Sequence, residues 1–473
     1  MGTINAAFGI MSGALEADQQ ALNVVANNVA NANTPGYTVE NPDWQQNQAL
    51  TIGGVSYGQG VTETGATSQR DRVLDERLDQ QQQLASASGS RLTALNTLQA
   101  LFTPDSGSST SKAGDIGSDI TSFFDSFSSL EANPTDNALR QNVLSTASML
   151  AGDISNAAAS LNSQRAALDQ ETAGVANQVN ALTGAIAQLN QQIMTVSPNA
   201  DAGTLEDQRQ QDLSQLSQLI GINQITTENN GLAITTTSGQ LLLTEGTSYQ
   251  LTTGMVNGVT DFFLGSADVT SQLALGGGSL GGDLTARDGD IPDALNSLDQ
   301  LAYNISTSIN TQNNAGITLD GVSGSAVKPL DIFSQPAVAA GSAAAMSVVM
   351  TNPNDVATAG AGDGTGGNSN AVAMASMANR GIVNGQTPTN FYSNFVTTLG
   401  STVSTVQTEN TAQNASVTQL QTQNDALSGV NLNDEASAMT TLERSYQAAS
   451  QVFAMLNTIM ASALNLGQQT AVS

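Results

Sequence analysis

Residues 154–196 read ISNAAASLNSQRAALDQETAGVANQVNALTGAIAQLNQQIMTV. Stepping through them by alternating fours and threes gives Ile154, Ala158, Leu161, Arg165, Leu168, Thr172, Val175, Val179, Leu182, Ile186, Leu189, Ile193 and Val196. This is a 3.5-residue repeat over about six heptads, and at 1.5 Å per residue such a helix extends about 60 Å. A strict repeat of this period winds helices around one another. A helical bundle is the other packing open to it, but the length of the helix favours a rod. Arg165 and Thr172, like Gln81, Asn410 and Gln413 in other runs, are polar at seam positions. There they weaken the seam and specify register.

The same period recurs outward in both directions. It links Ile4, Phe8, Met11, Leu15, Leu22, Val25 and Val29, then Leu74, Leu78, Ala85, Leu92 and Leu95. After residue 290 it links Ile291, Leu295, Leu298, Ala302, Ile305 and Ile309, then Tyr392, Val396, Leu399, Val403 and Val406. Met439, Leu442, Tyr446, Ala449, Phe453, Leu456 and Met460 complete the series. Pro134, Pro292 and Pro388 precede long periodic segments, where a first-turn proline is favourable, and Pro104 reads as a stop. Between Gly221 and Gly282 the period changes to two: Leu232/Ile234/Thr236, Leu241/Leu243, Tyr249/Leu251 and Phe262/Leu264 alternate like half-buried strands. Asn257-Gly258 reads as a tight hairpin turn. Residues 314–370 are rich in Gly, Ser and Ala and read as loops with a short strand at Met346–Met350. The fold expected is mainly α: a long coiled-coil-like helical rod built from the N- and C-terminal parts of the chain, with a small inserted β domain. Residues 1–50 and 430–473 form the terminal helical domain. Residues 51–222, 283–320 and 371–429 form the rod, 223–282 the β insert, and 321–370 a loop and short-strand excursion.

The chain has 473 residues, with 12 Lys plus Arg against 40 Asp plus Glu, a formal charge of −28, and no Cys or His. These zeros exclude disulfides, thiolate nucleophiles, Ser-His-Asp triads and His- or Cys-based zinc sites. The acidic balance argues against nucleic acid and anionic lipid as partners. No window carries a membrane span, and the first residues lack the basic and apolar regions of a cleaved signal peptide. Gly276-Gly277-Gly278-Ser279-Leu280-Gly281 matches GxGxxG, but it reads as a loop returning from the β insert, with the next helix about ten residues on and no βαβ unit. Asp288-Gly289-Asp290 and Asp363-Gly364 read as turns rather than calcium loops. The reading is of a protein that is not an enzyme and carries no cofactor or metal.

Asn27-Asn28, Asn31 and Asn33-Thr34-Pro35-Gly36-Tyr37 end the first helix with an uncharged, amide-rich stretch and a turn. Several Asn on one face suit amide hydrogen bonds to a neighbouring element. With Ser12-Gly13 and Gln20-Ala21-Leu22-Asn23 upstream, this stretch resembles the N-terminal signature of bacterial flagellar rod, hook and hook-associated axial proteins. Ser428-Gly429-Val430-Asn431-Leu432-Asn433-Asp434-Glu435-Ala436, with Leu442 and Tyr446-Gln447-Ala448-Ala449, is similar to their C-terminal signature, although the family often has an acidic residue where Asn433 stands. Gly278-Ser279-Leu280-Gly281-Gly282-Asp283-Leu284 and Gly316-Ile317-Thr318-Leu319-Asp320-Gly321 resemble the interior of the family's hook–filament junction members.

The resemblance implies a structural component of the extracellular flagellum, a ring of subunits between hook and filament, exported without a cleaved signal and with a reduced outer domain. It implies as partners the hook protein, hook-associated protein 3, further copies of the chain and an export chaperone. Another axial protein, such as hook-associated protein 3 or a hook variant, is the near alternative. A secreted coiled-coil adhesin or translocator would lack the paired end signatures. On this reading Leu15, Leu22, Val25 and Val29 meet Leu442, Tyr446, Phe453 and Leu456, and Ala449 also packs at subunit contacts. Asn27, Asn28, Asn31, Asn33, Thr34, Pro35, Gly36 and Tyr37 pack at subunit contacts. The ends are expected to order only between neighbours.

Overall fold

A computed structural model describes residues 2–52, 54–103, 116–197, 201–324 and 330–469. Pro104, read above as a stop, lies outside them. The chain is mainly helical with a small inserted strand region, as its periodicity implies. In order, the elements begin with α1 (Gly2–Asn31), β1 (Glu40–Gln46), β2 (Leu50–Ile52), β3 (Val55–Tyr57) and β4 (Val61–Ser68). Helices α2 (Arg72–Phe102), α3 (Ile116–Ala132), α4 (Asn137–Val196) and α5 (Thr204–Leu219) follow. The insert holds β5 (Ile222–Thr226), β6 (Leu232–Thr236), β7 (Leu241–Thr244), β8 (Thr247–Ser248), β9 (Leu251–Val256), β10 (Val259–Leu264) and β11 (Ala267–Asp268). Then come α6 (Thr270–Gly276), α7 (Gly278–Thr285), α8 (Ile291–Ala315), α9 (Ser342–Ala345), α10 (Ser369–Ser376), α11 (Pro388–Ser428) and α12 (Leu432–Gln469).

The chain divides into two compact units. The first comprises residues 1–83, 178–251 and 413–473. Here Val179, Ile186 and Ile193, spaced by seven on α4, are fully buried, as are Leu216, Ile234, Leu242 and Leu243. Strands β5 to β8 form an antiparallel sheet in sequence order. Asn190 on α4 fastens it by donating to the carbonyls of Leu232 and Glu245, each at 2.9 Å. Strands β1 and β4 pair as an antiparallel ribbon, and β2 and β3 form a hairpin between them. Trp44 lies at the β1 bulge, about half exposed. The polar seam residues Gln81 and Gln413 hydrogen-bond to each other.

The second unit comprises residues 84–177 and 252–412 and holds the larger core. Phe123, Phe124 and Phe127 of α3 cluster with Phe333. Ile291, Leu298, Ala302, Ile305 and Ile309 form the buried face of α8, whose proline sits in the first turn. Asn410 donates to the Ala85 carbonyl and to Ser88 Oγ, each at 3.1 Å, so this seam amide does register two helices. The Asn257-Gly258 turn joins β9 to β10 with φ of 51° and 83°, the left-handed pair that a two-residue hairpin requires.

Two sequence readings change. Met346–Met350 is not a strand; Val348 makes a single bridge to Phe333. The glycine-rich stretch is not a loop with a distant helix, because α7 begins at Gly278 and a π-helical turn, Ala286–Asp290, leads into α8. Its glycines serve close packing: a Cβ on Gly282 would run into the backbone of Ala87 and Arg91 on α2. The carboxylates of Asp288 and Asp290 pair with Arg287 and Arg91. Asp363 accepts from Gly360 N and Ser369 Oγ within its own loop.

Candidate assembly site at the paired chain ends

Helices α1 and α12 pack along each other in the first unit, and α1 also lies on β1 and β4. The Asn-rich stretch closes the end of α1. Thr34 N donates to the Asn31 carbonyl at 2.8 Å and Tyr37 N to the Thr34 carbonyl at 3.2 Å. Gly36 takes φ of 78° in that turn, a conformation that disfavours a side chain. The turn folds Tyr37 and Glu40 back onto Asn28. Asn28 Oδ1 accepts from the Tyr37 hydroxyl at 2.8 Å and from Glu40 N at 3.0 Å. Its Nδ2 donates to the Glu40 carbonyl at 2.8 Å and to Glu435 Oε2 at 3.1 Å. Asn28 is almost fully buried and has both donors and both acceptor positions filled. An amide is the one common side chain that can serve two donors and two acceptors at such a node.

The two signatures meet here. Val39 N donates to the Ser428 carbonyl at 2.8 Å, Gln69 N to the Val39 carbonyl at 2.9 Å, and Ser428 Oγ to the Gln69 carbonyl at 2.8 Å. Gly429 ends α11, with its N–H on the Asp425 carbonyl. Asn431 caps α12 by accepting from Asn433 N through Oδ1 at 3.1 Å. Thr38 N donates to Asp207 Oδ2, and Arg70 bridges Asp207, Thr38 Oγ1 and the Glu206 carbonyl.

The joint is acidic. Burial first, then the charges of Glu40, Asp207 and Glu435, pushes the Tyr37 hydroxyl up, so it stays a proton donor to Asn28. Burial and the neighbouring Asp207 raise Glu40; burial raises Asp207, with Arg70 opposing it. Among the described residues no group of three or more carboxylates could hold a metal ion.

Along the pair, Phe8 and Phe453 stack edge to face with ring centroids 4.6 Å apart. Val25 is buried; Leu15, Leu22, Leu442, Ala449, Phe453 and Leu456 are half-buried; Val29 and Tyr446 are exposed. Asn28 is inside, Asn31 and Tyr37 are partly covered, and Asn27, Asn33, Thr34, Pro35 and Gly36 face outward. The most buried line of α1 is Ala17, Ala21, Val25 and Asn28. The periodicity passes over Ala17 and Ala21, whose small size suits a helix approached from two sides. Val39 escaped the sequence analysis, and Glu435 appeared there only within the C-terminal signature, because their roles depend on contacts hundreds of residues away.

The profile described as "Flagellar hook-associated protein FlgK helical domain" matches residues 105–327, and that of "Flagella basal body rod protein" matches residues 10–38. Flagellar hook-associated protein 1 of Salmonella typhimurium is 29% identical over 325 residues, 66% of this chain and 57% of that protein. The chain is similar to the flagellar hook-associated proteins. A second hook-associated protein 1, from Bacillus subtilis, is 25% identical and aligns over 96% of both chains. The hook-associated fold is matched by the flagellar hook junction protein FlgK of Burkholderia pseudomallei, with a TM-score of 0.65 and 18% identity over 75% of this chain and 100% of that one. The chain spans a little over half the length of the Salmonella relative.

Proposed function

We propose that this chain is a structural, non-enzymatic subunit of the flagellar axis, standing in a ring between hook and filament and held there by its terminal helices. The observation that carries this is the outer face of α12. Val452, Met455 and Ile459 follow one another by three and four residues, and each is between 38% and 58% exposed. A helical stripe of large apolar side chains facing water marks an interaction surface. Phe453 and Leu456, on the adjacent face, are half-buried. Residues 1–50 and 430–473 are then the polymerising part. Residues 51–222, 283–320 and 371–429 are the rod, 223–282 the β insert, and 321–370 the excursion. The partners are hook protein on one side, hook-associated protein 3 on the other, neighbouring copies within the ring, and an export chaperone before assembly outside the cell.

The experiment is addition of purified protein to the tips of isolated hooks. Binding, followed by acceptance of hook-associated protein 3 on the new tip, supports this reading; indifference to hook tips overturns it.

A further inference from the structure

Arg209 on α5 is more than nine-tenths buried. Its Nη1 donates to Asn190 Oδ1 and to the Asn230 carbonyl, each at 2.9 Å. Its Nε and Nη2 have no acceptor among the described residues, and no carboxylate there forms an ion pair with it. Arg140, also fully buried, provides the contrast. Its Nε and Nη2 donate to the Pro134 carbonyl, its Nη1 to the carbonyls of Asn354 and Val356, and its Nη2 also to Thr358 Oγ1. All five N–H groups of Arg140 are therefore engaged, whereas Arg209 keeps those of two nitrogens unmet. Buried cations are ordinarily paired, because desolvation without compensation is expensive.

Arg209 lines a cavity of about 80 Å³ together with Arg70, Arg72, Glu206, Gln210 and Asn230. Arg70, whose side chain is 8% exposed, leaves its Nε buried and without a partner. The carboxylates nearby are already engaged. Glu206 accepts from Arg72, Asn230 and Ala202 N. Asp207 accepts from Arg70 and Thr38 N. Glu76, also on the wall, accepts from Gln80 at 3.2 Å. The cavity has space for roughly five waters, or for one tetrahedral anion. In a chain of charge −28, three of the twelve basic residues converge on it.

We propose that this cavity binds a small tetrahedral oxyanion, such as inorganic phosphate or sulfate, whose oxygens fill the empty donors of Arg209 and Arg70. Charge-assisted bonds from guanidinium to an oxyanion are among the stronger polar contacts. Burial, with Arg72 and Arg70 adding to it and Glu206 opposing, holds the Arg209 guanidinium down to about 10, and a bound anion relieves that strain. The anion links the β4–α2 connection, which carries Arg70, to α5, which carries Arg209.

The test is calorimetric titration of the full chain with sodium phosphate, at constant pH and with ionic strength held by chloride. Expected are one site per chain, a phosphate-dependent rise in melting temperature that chloride does not reproduce, and binding weakened about tenfold in Arg209→Gln. Should Arg209→Gln not fold, Arg72→Gln, on the half-exposed rim, decides, with weakening of several-fold expected. Sulfate should compete with phosphate and acetate should not. No saturable binding at tens of millimolar, affinity unmoved by the substitution that folds, or equal competition by acetate overturns the proposal; the first of these leaves an ordinary hydrated cavity. The site does not depend on hook addition, so its failure leaves the assembly reading untouched.

Discussion

Asn28 and Glu435 lie 407 positions apart and meet through a hydrogen bond of 3.1 Å from Asn28 Nδ2 to Glu435 Oε2. That contact joins the last turns of α1 to the first turn of α12 and buries the Glu435 side chain almost completely. Replacing Asn28 with Ala removes four hydrogen bonds at one stroke and leaves Glu435 and the Glu40 backbone without their partner. Leaving buried polar groups unmet is more damaging than losing a bond exposed to water. Asn28→Ala is expected to lower the unfolding free energy of the first unit by about 3 kcal/mol, measured by urea denaturation. Asn28→Asp should be worse at neutral pH, since a carboxylate cannot donate to Glu435 or to the Glu40 carbonyl. Wild-type stability in both variants would refute the role given to this node.

Much of the helical skeleton was legible because one seam residue recurs every three or four positions. The seven-residue spacing of Val179, Ile186 and Ile193 places all three in the core. The first turns of α4 were not legible: Val143, Leu144, Ala147, Leu150 and Ala151 are buried on a broad face, and no narrow stripe remains to read. The same holds for α3 with its cluster of phenylalanines. Strands β1 and β4 escaped because most of their residues are exposed, so nothing enforces alternation of polar and apolar side chains. At the candidate site, the signatures at both ends were visible in the sequence, but their meeting through Val39 and Ser428 was not. The expected seam of Leu15, Leu22, Val25 and Val29 is shifted because α1 is shared between α12 and the β1–β4 ribbon, which moves the deepest line to Ala17, Ala21, Val25 and Asn28.

Tyr446 lies on α12 at 38% exposure, at the edge of the face that meets α1. In an isolated chain a charge there remains hydrated, whereas the proposed packing between subunits would strip its water. Tyr446→Asp should therefore block addition to hook tips, with the melting temperature of the free protein within about 2 °C of wild type. Electron microscopy of hook tips and calorimetry of the monomer check the two halves. Loss of fold would instead make Tyr446 an ordinary core residue, and wild-type addition would remove it from the contact.

The terminal pair has a thin core. Over residues 432–463 of α12 most side chains are exposed, and among those described Glu435 alone is buried. An isolated helix pair of this kind is weakly stable in water, and its stability comes from packing. Backbone amides of α1 before Ala17 and of α12 after Tyr446, the part of the pair beyond the Asn28–Glu435 node, are expected to exchange with deuterium at least about 100-fold faster in the free monomer than those of α8 in the second unit, and to become protected on assembly. Strong protection at both ends of the free chain would refute coupling of their order to association.

Asp79 on α2 is 1% exposed and accepts from Gln210 Nε2 at 2.9 Å and Gln224 Nε2 at 2.8 Å through Oδ2, while its Oδ1 has no partner. Burial pushes its carboxyl up to about 7, with the two amides pulling the other way and Asp75 and Glu76 adding to the rise. In the unfolded chain an aspartate titrates near its usual value of about 3.9. Between these limits the folded protein holds the proton more tightly. Stability from this group is therefore fully present below about pH 4, falls as pH rises toward about 7, and levels off above it. Asp283 in the second unit, raised to about 6 chiefly by burial, contributes a slope of the same sign. Asp79→Asn keeps an acceptor for both glutamines and removes the titration. The variant should gain stability relative to wild type progressively from pH 5 to pH 8, read from urea midpoints of the first unit. A difference that stays constant across that range would show that Asp79 does not titrate there.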